Sequence, residues 1–234
     1  MFDPTYSVFD LVPAVISACV LCFALDLWRR TVDAAPRHGR AAGAVLAAWA
    51  GSAVLATHVP ALGRMIGTVP GLLPVLLIAA IAAPVLAASP ADGRRAFDRI
   101  PIEDLMTFFY WRAVFGALLL ATTAAGRLPA EFGIHAGLGD IAVTMLMVLV
   151  LALRSVSDRM ARGAVLLWNA IGLLDLVNVL VGAALVARPW IEQRGLSGQF
   201  ALQLFGVPIF IALHLLIFGR LWRERRTASH APAF

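Results

Sequence analysis

Residues 164–186 read AVLLWNAIGLLDLVNVLVGAALV, and this stretch shows the pattern that decides the fold. A transmembrane helix needs about 20 mainly apolar residues, which this stretch supplies. Asp175 is its only charged residue, and Asn169 and Asn178 are its two amides. Similar stretches recur along the chain, so we expect an integral membrane protein.

The hydropathy pattern predicts about seven transmembrane helices joined by short connectors. Apolar residues make up 61% of the chain and charged residues only 14%, whereas a soluble domain carries about 25% charge. We therefore predict one all-α domain over residues 1–234, a polytopic transmembrane bundle. The predicted spans cover residues 8–28, 41–59, 71–88, 104–125, 138–153, 164–186 and 200–221.

The distribution of arginines predicts the orientation of the bundle, because cytoplasmic connectors carry the excess of positive charge. Fourteen arginines lie after the first, third and fifth spans and in the C-terminal tail, and four lie in the alternate connectors. We therefore expect the N-terminus outside and the C-terminus in the cytoplasm, in the cell membrane (in bacteria, the inner membrane). The fourteen are Arg29, Arg30, Arg37, Arg40, Arg94, Arg95, Arg99, Arg154, Arg159, Arg162, Arg220, Arg223, Arg225 and Arg226; the four are Arg64, Arg127, Arg188 and Arg194.

The same composition limits partners and cofactors. The arginines are scattered over short connectors instead of forming one patch, so no nucleic-acid partner is expected. The chain has no lysine, so neither retinal nor pyridoxal phosphate can form a Schiff base with it; whether it binds another cofactor is left open. Cys19 and Cys22 form a C-x-x-C pair midway along an apolar span, where we expect packing and not redox chemistry.

One stripe of small residues predicts close helix packing. Gly43, Ala47 and Gly51 recur every four residues in the second span, which lets two helix backbones approach each other. The neighbouring helix belongs either to the same bundle or to a second copy, so a homo-oligomer is one of the expected partners, beside the lipid bilayer.

Five polar residues inside predicted spans form the candidate ligand-binding site: Arg112, Asn169, Asp175, Asn178 and His214. An ionisable side chain in the bilayer costs at least about 2.5–3.5 kcal/mol, so such residues face the bundle interior and find partners. At 1.5 Å per residue, Arg112 lies roughly 12 Å and Asp175 roughly 17 Å from the cytoplasmic ends of their spans. We predict that they pair beside a pocket between the fourth, sixth and seventh spans. Snorkelling of Arg112 to the surface is the alternative.

A second polar group is predicted at the outer face. His58 ends the second span, Glu131 and His135 lie in the following outer connector, and Asp140 opens the fifth span. Two histidines and two carboxylates are ligands that zinc or copper accepts, although their spacing matches no known pattern. We therefore expect no metal here, with Asp140 capping its helix or balancing Arg127, and keep a metal site at His58, His135 and Asp140 as the alternative.

These residues leave three functional classes open. The first is a small-ligand binding bundle, a transporter or sensor, favoured by a cation, an anion and amides at membrane depth. The second is a membrane-embedded enzyme for a lipid or isoprenoid-like substrate, in which Arg112 holds an anionic head group and Asp175 or His214 transfers protons. The third is a structural or accessory subunit. We rank the binding bundle first and leave enzymatic activity undecided.

Overall fold

Every regular element of the computed structural model is helical over the residues that it describes, 12–34, 36–59, 61, 65–66, 72–154, 158–187 and 202–229. Two π-helical turns, Ala183–Ala187 and Leu202–Gly206, extend α8 and precede α9. The helices are α1 Val12–Ala34, α2 Pro36–His58, α3 Leu72–Ala87, α4 Ala91–Asp98, α5 Ile102–Thr107, α6 Tyr110–Ala124, α7 Ala130–Arg154, α8 Asp158–Gly182 and α9 Val207–Ser229.

Four of these helical stretches are long and apolar enough to cross a membrane: Ile102–Ala124, Ala130–Arg154, Met160–Ala187 and Leu204–Arg226. A fifth is obtained if α3 and α4, which meet at 88°, count as one span. The apolar parts of α1 and α2 are shorter among the described residues. The helices of the described ranges indicate a membrane protein with four to five candidate spans, and they do not confirm the predicted number of seven.

The outward surface of the helices is apolar, as a lipid-facing surface must be. Leu149, Leu174 and Leu185 are 65%, 67% and 73% exposed, respectively. α3 has no buried residue along its length. A soluble protein rarely exposes such continuous apolar surface, whereas hydrocarbon chains in a bilayer cover it without cost.

An aromatic cluster forms the centre of the described bundle. The ring of Phe23 on α1 stacks on Phe108 with centroids 4.8 Å apart. It also contacts Phe115 at 5.4 Å, Phe205 at 5.6 Å and Phe210 at 5.0 Å. Aromatic pairs at these spacings add about 0.5–1.5 kcal/mol each beyond their buried area. The cluster therefore fixes α1 against α6 and α9.

Glycines bring α6 and α7 into backbone contact. Gly133 and Gly137 are four residues apart on α7, the spacing of a small-residue packing motif. A Cβ built on Gly137 would lie 2.8 Å from the carbonyl oxygen of Gly116. By contrast, a Cβ on Gly51 meets nothing within 4 Å, and Ala47 is exposed. Within the described residues, the close backbone contact is thus made by the glycines of α7, and not by Ala47 and Gly51 of the predicted stripe.

The charged ends of several helices meet at one end of the bundle, which is called here the arginine-rich face. α1, α7 and α9 end there and α5 begins there, as expected for helices that alternate in direction. The contacts are Arg30 Nη1 to the Asp104 carbonyl (2.7 Å), the Arg154–Glu103 ion pair, and Arg223 Nη2 to Asp98 Oδ1 (2.7 Å).

The predicted boundaries need one substantial correction. The fifth span was predicted to begin at Leu138, but its helix begins at Ala130. Leu128 and Phe132 bury their side chains, so this segment packs into the bundle and continues as helix in spite of its polar residues. Parts of the predicted plan lie outside the described residues: 8–11, Gly71, 200–201, Arg64, Arg188 and Arg194.

Candidate functional site

A break between α5 and α6 precedes the most deeply buried charge. Around Phe108 and Phe109 the backbone forms hydrogen bonds between residues three apart, as in a 3₁₀ turn. The Phe109 N–H donates to Met106 O at 2.9 Å, and the Arg112 N–H donates to Phe109 O at 3.0 Å. The hydroxyl of Thr144 also donates to Phe109 O at 3.3 Å. Short 3₁₀ stretches within a helix mark strain or a functional hinge. Here the break lies one turn before Arg112.

Arg112 is fully buried and bonds to two other helices. Its Nε donates to Asp140 Oδ1 on α7 at 2.7 Å. Its Nη1 donates to the carbonyl oxygen of Gly172 on α8 at 3.1 Å, and its Nη2 to Asp175 Oδ2 on the same helix. The predicted pairing with Asp175 is present, and the guanidinium does not snorkel. We call Arg112, Asp140 and Asp175 the charged triad.

The charged triad has an excess of one negative charge when both carboxylates are ionised. Among the described residues Arg112 is the only cation within ion-pair distance of either carboxylate. Buried charges need full compensation, because the bilayer interior and the protein core solvate them poorly. One guanidinium for two carboxylates therefore leaves the triad with an affinity for one further positive charge.

Asp140 was assigned to the wrong environment from the sequence. It was placed at the outer surface because the fifth span was started at Leu138. With α7 beginning at Ala130, Asp140 lies roughly 15 Å along the helix. Its side chain is buried against Arg112, and the residue is 8% exposed. The available signal was the helical register of Gly133, Gly137 and Asp140, which share one face of α7.

Glycines on α7 and α8 make room for the triad and its neighbours. A Cβ on Gly139 would collide with Asp175 Oδ1, so this carboxylate lies directly against the α7 backbone. A Cβ on Gly172 would lie 2.6 Å from Cε1 and 2.7 Å from Nε2 of His214. Gly172 therefore connects the two groups, because its carbonyl accepts from Arg112 while its Cα faces the histidine ring.

Asn169 and His214 form a second buried polar pair, one turn along α8 from Gly172. Asn169 Nδ2 donates to the backbone carbonyl of His214 at 3.0 Å. This bond orients the amide so that its Oδ1 accepts from His214 Nδ1 at 2.7 Å. The neutral ring therefore carries its proton on Nδ1. Nε2 is fully buried, has no hydrogen-bond partner in the part of the chain that the structure describes, and so offers a lone pair.

A small cavity adjoins Asp140 on the side away from the arginine-rich face. Its volume is about 20 Å³, which is enough for roughly one water molecule. Sites for small organic ligands measure about 300–1,000 Å³, so this cavity is too small for a lipid or another organic ligand. Its lining residues are Phe115, Leu119, Phe132, Asp140, Leu176, Val179, Leu202, Val207 and Phe210.

The other predicted residues lie away from the triad. Asn178 is exposed on α8, and Arg112 bonds to Asp140, Gly172 and Asp175 instead. Ser17 Oγ lies 3.2 Å from His58 Nε2, and His135 Nδ1 lies 2.6 Å from the carbonyl of Glu131 on its own helix. With Asp140 bound to Arg112, the alternative metal ligands do not converge. No group of three metal-binding side chains occurs among the described residues. Of the cysteines, Cys19 is half-buried and Cys22 exposed, and neither forms a disulfide.

One family model matches the part of the chain that contains the charged triad. Residues 68–222 match the family described as a domain of unknown function, DUF8737. The chain belongs to the DUF8737 family. The DUF8737 region contains α3 to α8 and most of α9, and so includes the whole charged triad as well as Asn169 and His214. No curated protein and no solved structure matches the chain.

Proposed function

We propose that this protein is a multi-pass membrane transporter or sensor that binds a small cationic ligand, most simply a proton, at the charged triad. The observation that carries the proposal is a single buried guanidinium shared by carboxylates from two other helices. In membrane proteins such intramembrane charges mark proton relays, ion pathways and counter-ions. An excess carboxylate at this depth is neutralised best by a proton.

The surroundings of the triad support a proton as the ligand. The cavity beside Asp140 has no room for a lipid, and every lining residue other than Asp140 is apolar, so a proton is the cation that needs least space and solvation there. Asp140 and Asp175 come from different helices, so protonation of either one releases part of the Arg112 guanidinium and loosens one helix contact. His214 provides a further acceptor through its free Nε2, next to Gly172.

The proposed topology places the triad within a bilayer. We infer seven spans, an outside N-terminus and a cytoplasmic C-terminus, in the cell membrane. The fourteen-to-four arginine bias supports this orientation. The meeting of helix ends at the arginine-rich face agrees with it, because α1, α7 and α9 would all descend to the cytoplasm.

Infrared spectroscopy of the protein in lipid nanodiscs tests the proposal. A protonated carboxyl group has a carbonyl stretching band that an ionised carboxylate lacks. We expect such a band in the wild type, titrating with pH and removed by Asp140→Asn or Asp175→Asn. Asp92→Asn is the matched control, since Asp92 lies on the exposed surface of α4 with Arg95. A wild-type spectrum without this band at every pH at which the protein is folded would overturn the proposal.

Proteoliposomes then separate transport from sensing. A transporter dissipates an imposed pH gradient faster than its Asp140→Asn variant does. A sensor passes no protons but changes tryptophan fluorescence with pH, because Trp168 packs on His214 with ring centroids 5.4 Å apart. If the triad titrates with neither flux nor a fluorescence change, the proton is only structural, and the functional proposal is wrong.

A further inference from the structure

A second polar site lies at the arginine-rich face, away from the charged triad. A cavity of about 380 Å³ opens there between α5, α7, α8 and α9. This volume falls in the range of small-ligand sites, about 300–1,000 Å³. Its charged lining consists of three arginines and two glutamates, which gives a formal charge of +1. They are Arg154, Arg162, Arg220, Glu103 and Glu224.

Two of the arginines are held in place by their own contacts. Arg154 forms an ion pair with Glu103. Arg220 donates from Nε to Glu224 Oε1 at 3.0 Å and from Nη1 to the carbonyl of Ile100 at 2.5 Å. Its side chain is 16% exposed. A guanidinium with a fixed orientation and remaining N–H donors is already arranged for an incoming acceptor, so little conformational entropy is lost on binding.

Arg162 provides the uncompensated charge of the cavity. It is exposed on α8, and it has no hydrogen-bond or ion-pair partner among the described residues. The cavity also has an apolar floor, formed in part by Val165 and Leu221. The site therefore combines a free guanidinium, two oriented guanidinium groups and an apolar base.

We propose that this cavity binds a phosphate group, either the head group of an acidic phospholipid or a soluble phosphate ester. Arginine forks match the oxygens of phosphate in bidentate geometry, and charge-assisted bonds of this kind are about twice as strong as neutral ones. The position fits both sources, because the face that carries the excess of arginines meets the head groups and the aqueous phase. The site does not depend on proton binding at the triad.

Two binding measurements distinguish the sources. Inorganic phosphate is titrated into the protein in phosphatidylcholine nanodiscs, against chloride at equal ionic strength. Phosphatidylglycerol bound to the protein is counted by native mass spectrometry. Binding of phosphate alone indicates a soluble ester, and retention of phosphatidylglycerol alone indicates a head group. If neither binds, the proposal is wrong.

Variants test whether the cavity is the site. Arg162→Gln should weaken binding by about tenfold or more, since one charge-assisted contact is lost, and Arg162→Lys should recover part of the loss. Glu224→Gln should tighten binding, because it removes a competing carboxylate from Arg220. Arg225→Gln is the control: it removes the same charge from an exposed position outside the cavity lining. An equal loss in Arg225→Gln and Arg162→Gln would show general charge attraction and overturn the proposal.

Discussion

The guanidinium of Arg112 is shared by two carboxylates, so the three residues of the charged triad respond to mutation as one unit. Removal of the arginine leaves two carboxylates, the buried Asp140 and the partly buried Asp175, without their shared cation. Removal of one carboxylate leaves a neutral ion pair that keeps most of its contacts. The loss of Arg112 should therefore destabilise the charged triad more than the loss of either carboxylate.

A double-mutant cycle measures this dependence. Arg112→Leu should lower the free energy of unfolding by about 3–5 kcal/mol, as in other broken buried pairs. Asp175→Leu should cost less, because Asp140 still compensates the guanidinium. The Arg112→Leu, Asp175→Leu double variant should show a coupling of about 0.5–3 kcal/mol. Thermal or denaturant unfolding in detergent provides the readout, and simple additivity of the two changes would show that the side chains do not interact.

At the level of single residues, the sequence predicted the pair but not the triad. Arg112 and Asp175 stood out because charge inside an apolar stretch is costly wherever the span boundaries are placed. Asp140 was missed because the residues before it include Glu131, His135 and three glycines, so hydropathy alone begins the span at Leu138 and leaves Asp140 near its outer end. Which side chains become partners depends on the rotation of each helix about its axis, and this rotation cannot be derived from a single sequence.

Among the helices, α7 determines the geometry of the charged triad. Its glycine face allows contact with the backbone of α6, and this contact brings Asp140 next to Arg112. Small residues at helix contacts are the main means of close packing in membranes, where no hydrophobic force drives helices together. The glycine spacing of α7 can be read from the sequence, but close helix packing was predicted for the similar stripe in the second span.

Substitution of Gly137 tests the packing of α6 against α7. The new methyl group of Gly137→Ala would lie 2.7 Å from Leu120 Cγ and 2.8 Å from Gly116 O, so the helices must separate. We expect a loss of about 1–3 kcal/mol, the usual cost of overpacking. Gly163→Ala is the control, since a Cβ there meets nothing within 4 Å, and alanine favours the helix by about 1 kcal/mol. Equal melting temperatures for the two variants would contradict the packing.

For the whole molecule, the arginine bias and the meeting of helix ends agree, and both involve Arg30, Arg154 and Arg223. The first depends only on where arginines fall between apolar stretches, and the second on contacts such as that between Arg30 and the Asp104 carbonyl. The bend of 88° between α3 and α4 was not predicted. It follows Ser89 and Pro90, whose turn stops the helix, and the amphipathic sequence of α4 then favours a position along the membrane surface.

Reporter fusions test most directly the central claim, that the charged triad lies within a bilayer-spanning bundle whose arginine-rich face is cytoplasmic. Both proposals rely on a membrane-spanning bundle, because a triad in water would need no proton and the phosphate site needs a face at the membrane surface. Fusions made after Arg37, Arg95, Arg159 and Arg226 should report the cytoplasm, and fusions made after Arg64, Arg127 and Arg194 should report the outside. Two consecutive fusions on the same side would contradict seven alternating spans, and the reversed pattern throughout would contradict the orientation.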